Sequence, residues 1–213
     1  MRRIIALLGL IVALALPAWA MPGVPTEGRL VYTVTRNGAP IGKLEFAFRP
    51  EGNKLAVEVT TEIAYKLAFL TLYRFNQRSR EIWQGDRLVE LISDTDDDGT
   101  RQELKSVSEA DGVAVTLNGK PQRHGGRLVP SSLWHPAVVE SPALIDTVDG
   151  SRIAVQSRFV GQETLSVRGR PMALRRYAIT GDMKRDVWFD EAGVLRHVRF
   201  TARDGSDVAY VLD

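Results

Sequence analysis

Seven consecutive residues, Pro130-Ser131-Ser132-Leu133-Trp134-His135-Pro136, gather hydroxyls, an indole and an imidazole. Ser132 and His135 have the residue types of a nucleophile and its base, a chemistry that depends on the imidazole reaching the hydroxyl in space. No Gly-x-Ser-x-Gly elbow surrounds the serines, so the segment reads instead as a plug in which Trp134 fills the open end of a sheet and His135 bonds locally. A second acid–base candidate is Glu81 with Glu90. If Gly85-Asp86 is a two-residue turn, Trp83 opposes Leu88 and Glu81 opposes Glu90, and in a dry cavity the two carboxyls would share one proton. A register slip of one residue separates them.

Asp94, Asp96 and Asp98 alternate before Gly99, as the first half of a calcium loop does to set out oxygen ligands. Lys105 stands where that loop needs a bidentate Glu, so the expectation is a solvated hairpin tip on Asp98-Gly99 with no metal assigned, and weak calcium binding at the three aspartates is the alternative. His124, His135 and His197 have no metal-ligand spacing, and no cofactor is implied. His197, Arg199 and Arg203 share one strand face, able to receive a phosphate or carboxylate. Along Leu72 to Gln84, Tyr73, Phe75, Gln77, Ser79, Glu81 and Trp83 share one face, with Arg74, Asn76, Arg78 and Arg80 on the other. Its polar middle predicts a lined cavity, a rim, or a strand projecting past the core. Tyr73, Phe75, Trp83, Trp134 and Trp188 could line such a cavity with Arg78 meeting an anionic head group, or could simply pack a core.

The elements that must position these groups are strands. From Arg29 onward, runs rich in β-branched and aromatic residues end at turn dipeptides such as Asn37-Gly38, Asp98-Gly99, Asn118-Gly119, Arg168-Gly169 and Asp204-Gly205. This grammar gives about twelve antiparallel strands. Two stretches interrupt it. Ala64 to Leu70 reads as a helical turn or a bent strand, and Pro121 to Val148 as a long lid or plug in which Ser141-Pro142 starts a short helix. Strands without intervening helices predict one curved sheet, a half-barrel or open barrel, with a two-sheet sandwich as the alternative.

Arg2 and Arg3, the apolar run Ile4 to Leu16 and Ala18-Trp19-Ala20 read as a signal peptide over residues 1–20, leaving 21–213 as one domain. The expected location is the periplasm. Without cysteine there is no disulfide framework and no lipid-modified Cys, and no later stretch is long enough to span a bilayer as a helix. The net charge of +2 comes from Arg2 and Arg3, so the remainder is balanced and lacks the cation excess that nucleic-acid binding uses.

Arg80-Glu81-Ile82-Trp83 with Gly85, Asp97-Asp98-Gly99, Ser131 to Pro136, Trp188-Phe189-Asp190 with Gly193, and Asp204-Gly205-Ser206 occur in this order. Together they resemble an uncharacterised exported Gram-negative family, the domain of unknown function numbered 6134, over about Arg29 to Leu212. The resemblance implies no activity. More loosely, the hairpin meander is similar to LolA-type periplasmic lipoprotein carriers, whose curved sheets hold acyl chains. The reading that follows is non-enzymatic binding of an amphipathic envelope ligand, a lipid or glycolipid, in the concave face. A hydrolase using Ser132 with His135 or Glu81 with Glu90, and an envelope assembly or scaffold protein pairing through a strand edge, are the alternatives.

Overall fold

The computed structural model describes residues 21–67 and 69–213, so the expected signal segment lies outside the described residues. The strands are β1 (Arg29–Arg36), β2 (Ala39–Glu51), β3 (Lys54–Leu67), β4 (Leu70–Gln84), β5 (Arg87–Asp97), β6 (Thr100–Ser108), β7 (Gly112–Leu117), β8 (Lys120–Gly125), β9 (Val129–Pro130), β10 (Ala143–Ile145), β11 (Arg152–Val167), β12 (Arg170–Gly181), β13 (Arg185–Phe189), β14 (Leu195–Thr201) and β15 (Asp207–Leu212). They form a single sheet in the order 8-7-6-5-4-3-2-1-15-14-13-12-11-10-9. The first and last strands meet antiparallel in its middle, Tyr32 opposite Leu212. Asn37 and Gly38 turn the β1–β2 hairpin with φ of 48° and 80°, the left-handed pair that a two-residue hairpin loop needs.

This is the curved open barrel that the strand grammar predicts, with fifteen strands among the described residues in place of about twelve. The surplus comes largely from the segment read as an irregular plug. β9 and β10 are two and three residues long and pair in parallel, Leu144 opposite Val129. The helix expected from Ser141 is not formed. Ala143–Ile145 instead pairs with β11, and the one helical turn among the described residues, a 3-10 turn at Pro136–Val139, is capped by His135, whose Nδ1 accepts from the Ala137 amide at 3.1 Å.

Curvature gives the sheet an inside. Leu30, Tyr32, Phe46, Val57, Val187 and Val198 are buried on that face, and the plug supplies Leu128, Leu133, Trp134, Val138, Leu144 and Ile145 to pack against it. The free edge of β8 is clasped to the plug by side chains rather than by a ladder: His124 Nε2 lies 2.8 Å from the Gly150 carbonyl. A Cβ on Gly150 would sit 2.6 Å from Leu104 and Val115, so only glycine lets the chain pass this close to β6 and β7.

The stretch from Ala64 to Leu70, read as a helical turn or a bent strand, is instead the end of a hairpin: Ala64 to Leu67 continue β3 and Leu70 begins β4. The β3–β4 ladder shifts register between Tyr65 and Lys66. Beyond Ile63, β3 has no β2 partner, and before Phe75, β4 has no β5 partner. The hairpin therefore continues past the sheet as a two-stranded arm.

Candidate functional site

Glu81, on the inner face of β4, is fully buried. Its Oε2 accepts two indole N–H bonds, from Trp83 and from Trp134, each 2.8 Å. Trp83 reaches it because residues two apart on a strand share a face, and Trp134 because the plug turns sharply at Leu133, a buried non-glycine residue at φ 69°. His135 stacks on Trp83 with ring centroids 4.5 Å apart and planes 9° from parallel, while Phe48 meets Trp134 edge-on at 5.1 Å. Burial pushes the Glu81 pKa up, opposed by the Ser132 hydroxyl and the two indoles. Glu81 Oε1 has no hydrogen-bond partner.

Glu81 and the segment that carries Ser132 and His135, distant in the sequence, thus come into one neighbourhood. The relay that hydrolysis needs is not assembled there. Burial holds the His135 pKa down to about 4, so the ring is neutral at ordinary pH. Its Nδ1 already accepts from a backbone amide, which places the ring proton on Nε2, and that atom has no partner. An imidazole in this state offers Ser132 no free basic nitrogen. What the arrangement does hold is the plug: Gln77 Nε2 donates to the Thr147 carbonyl at 3.0 Å, and Ser131 Oγ accepts from the Thr147 amide at 3.1 Å.

Glu90 is not part of this group. Trp83 does oppose Leu88, but the register shifts between Ile82 and Trp83, so Glu81 opposes Leu91 and Glu90 opposes Ile82. The bulged residue on β5 turns Leu91 into the core and Glu90 out to Lys105, 3.5 Å away. Asp94 and Asp96 lie on the extended β5 and Asp98 at its end. Among the described residues no three His, Asp or Glu side chains gather round a common point.

The six residues expected to meet a ligand are dispersed. Trp83 and Trp134 belong to the core, Tyr73 lies on the exposed arm, Phe75 at its base, and Arg78 points away from the inner face. Trp188 alternates with Val187 and so lies on the opposite face of β13, where Glu163, Arg176 and His197 cover it and leave it buried at 4% exposure. There it floors a cleft of about 620 Å³, with Leu165, Glu163 and Arg176 on one side and His197, Arg199 and Asp207 on the other. Glu163 binds both the Trp188 indole, at 2.9 Å, and Arg176, at 2.8 Å, contacts that hold its pKa down. Arg176 also reaches Asp186 at 3.2 Å, and Arg199 Nε meets Asp207 at 2.7 Å. Burial holds the His197 pKa down and its ring meets Trp188 at 5.0 Å. Arg176, Lys184 and Glu163 were not singled out in the sequence, because only the β12–β13–β14 register, Arg176 to Trp188 to His197, brings them beside Trp188.

Fold and surfaces together define a plugged, open β-barrel-like domain with a charged outer cleft. Residues 32–213 match the family model described as Domain of unknown function (DUF6134), and the chain belongs to that family. Among solved structures it is similar to the crystal structure of a beta-barrel-like protein of domain of unknown function DUF1849 from Brucella abortus. That likeness has a TM-score of 0.63 and 12% identity, covering 87% of this chain and 96% of that one. At this identity the likeness concerns the fold. No curated protein matches the chain.

Proposed function

We propose that this is a non-enzymatic periplasmic protein that binds an amphipathic envelope ligand with an anionic head group, in the outer cleft rather than inside the barrel. The plug's own side chains occupy the interior, which moves the reading away from the concave face. The observation that carries it is the cleft itself, in which apolar Leu165 and the edge of Trp188 stand next to Arg176, Lys184 and Arg199. Its volume suits a small ligand or a head group with part of a chain. Arg199 uses only its Nε on Asp207, and its terminal nitrogens remain for an oxyanion.

Calorimetric titration with dodecyl phosphate and dodecyl maltoside, both below micelle formation, tests this. The phosphate binds and the maltoside binds more weakly. Arg199→Ala weakens the phosphate by about tenfold, the size of one charge-assisted hydrogen bond, and leaves the maltoside unchanged. Equal binding of both amphiphiles, or an Arg199→Ala variant that binds dodecyl phosphate as before, overturns the reading.

A further inference from the structure

We propose that the β3–β4 arm is a docking element for an anionic lipid surface. At its end Phe69 is fully exposed, and Leu70, Leu72 and Tyr73 are 63%, 45% and 37% exposed. Four residues of β3 and five of β4 pass beyond the last neighbouring ladder, and at about 3.3 Å per residue the arm stands roughly 15 Å proud of the sheet.

The order of groups along the arm selects its partner. Apolar side chains come first, at Phe69, Leu70 and Leu72. Behind them lies the cross-strand pair Tyr65 and Tyr73, and with these the cations Lys66 and Arg74. No acid occurs from 64 to 74. An apolar tip followed by a belt in which two phenol rings stand between Lys66 and Arg74 matches the passage from acyl chains into the interfacial layer, with the long cationic stems reaching on to charged head groups. A second copy of the chain would ask instead for a broad complementary patch, which a two-stranded tip does not provide.

The base is tied to the body, so that force on the tip is transmitted to the fold. Arg36 lies 3.9 Å over the Tyr65 ring while pairing with Asp204, and the Tyr73 hydroxyl donates to Asp97 at 2.8 Å. Glu62, Asp96, Asp97, Asp98 and Asp204 are acids at this base; Asp97 and Asp204 are engaged by Tyr73 and Arg36, and all lie behind the tip, screened from a surface beyond about 10 Å at 0.1 M salt. Insertion stays shallow, because an isolated ribbon has edge amides that must keep water.

The proposal is independent of the outer cleft, and its test does not involve cleft residues. A Phe69→Trp variant of the intact protein is titrated with phosphatidylcholine vesicles, with and without phosphatidylglycerol. Its emission shifts to the blue with the anionic vesicles and far less with the neutral ones, and added salt weakens the effect. Leu70→Ser with Leu72→Ser lowers vesicle co-sedimentation by at least about tenfold, as expected for withdrawing two Leu side chains from lipid, while the melting temperature is unchanged. Lys66→Gln with Arg74→Gln abolishes the preference for anionic vesicles. Any contribution from the apolar N-terminal segment is common to all these proteins and cancels in the comparison. Co-sedimentation that the Leu variants leave intact, or an arm that drives concentration-dependent self-association without a blue shift on vesicles, overturns the proposal.

Discussion

The two ends of β4 treat apolar side chains in opposite ways. From Gln77 to Trp83 the strand lies among neighbours on both sides, and its inner face carries Gln77 and Glu81, polar groups that take hold of the plug, with buried Ser79 between them. From Leu70 to Arg74 it carries leucines and a tyrosine that stay partly exposed, Leu70 most of all. Apolar content alone does not decide burial here. The plug is held inside by hydrogen bonds to buried acceptors, whereas the arm outruns every neighbouring strand and has nothing to fold against. In this barrel polar residues fix the interior, and apolar residues mark the place where it reaches outward.

The sharpest way to break that contrast is at the plug. Trp134→Ala removes a buried indole, its edge contacts with Phe48 and Trp83, and one of the two donors to Glu81. A loss of about 3–5 kcal/mol in urea unfolding is expected, the range for large aromatic truncations in a core. A loss below about 1 kcal/mol would mean that the plug is not integral to the fold.

Acid provides the next largest effect. His135 titrates near 6.5 when unfolded and at about 4 when folded, so the unfolded chain takes up a proton that the native protein refuses. Stability is therefore full above pH 6.5 and falls as the pH drops towards 4, by about 3 kcal/mol from this group. His135→Phe, which retains a stacking ring on Trp83, flattens that interval in urea titrations at a series of pH values.

Glu81 acts with the opposite sign. Its folded pKa is raised above the unfolded 4.5, so the native protein holds a proton that the unfolded chain releases, and its contribution declines as the pH climbs above 4.5. Glu81→Gln keeps an oxygen for the two indoles and has no proton to lose. The variant's stability, relative to the parent, rises with pH across that range. An unchanged pH profile would show that Glu81 is not the group responsible.

Much of this architecture was readable in the chain, for local reasons. Asn37-Gly38, Asp98-Gly99 and Asn118-Gly119 supply the left-handed backbone that short hairpins require, and each marks a real turn. What was not readable depends on partners far away in sequence. Leu88-Val89-Glu90-Leu91 fits either of two registers, and the choice falls to whichever puts Leu91 in the core, which is why Glu90 leaves Glu81. Trp83 and Trp188 look alike in sequence, yet one packs inside and the other floors an outer cleft, because each side is set by the parity of its strand. The burial of Glu81 was invisible because its cage comes from a plug fifty residues on.

The smallest effect is also the most discriminating. Leu72 lies on the exposed end of β4 and Leu91 lies opposite its buried end, one 45% exposed and the other wholly enclosed. Leu91→Ala leaves a cavity between β4 and β6 and lowers stability by about 2–5 kcal/mol. Leu72→Ala removes the same atoms from water rather than from a core, so its unfolding free energy stays within about 0.5 kcal/mol of the parent. Folding would not account for a leucine whose removal leaves stability unchanged, and its exposure at the tip fits the lipid contact proposed above. A loss of more than about 1 kcal/mol on Leu72→Ala would place the arm among the packed elements instead and erase the distinction between the two ends of the strand.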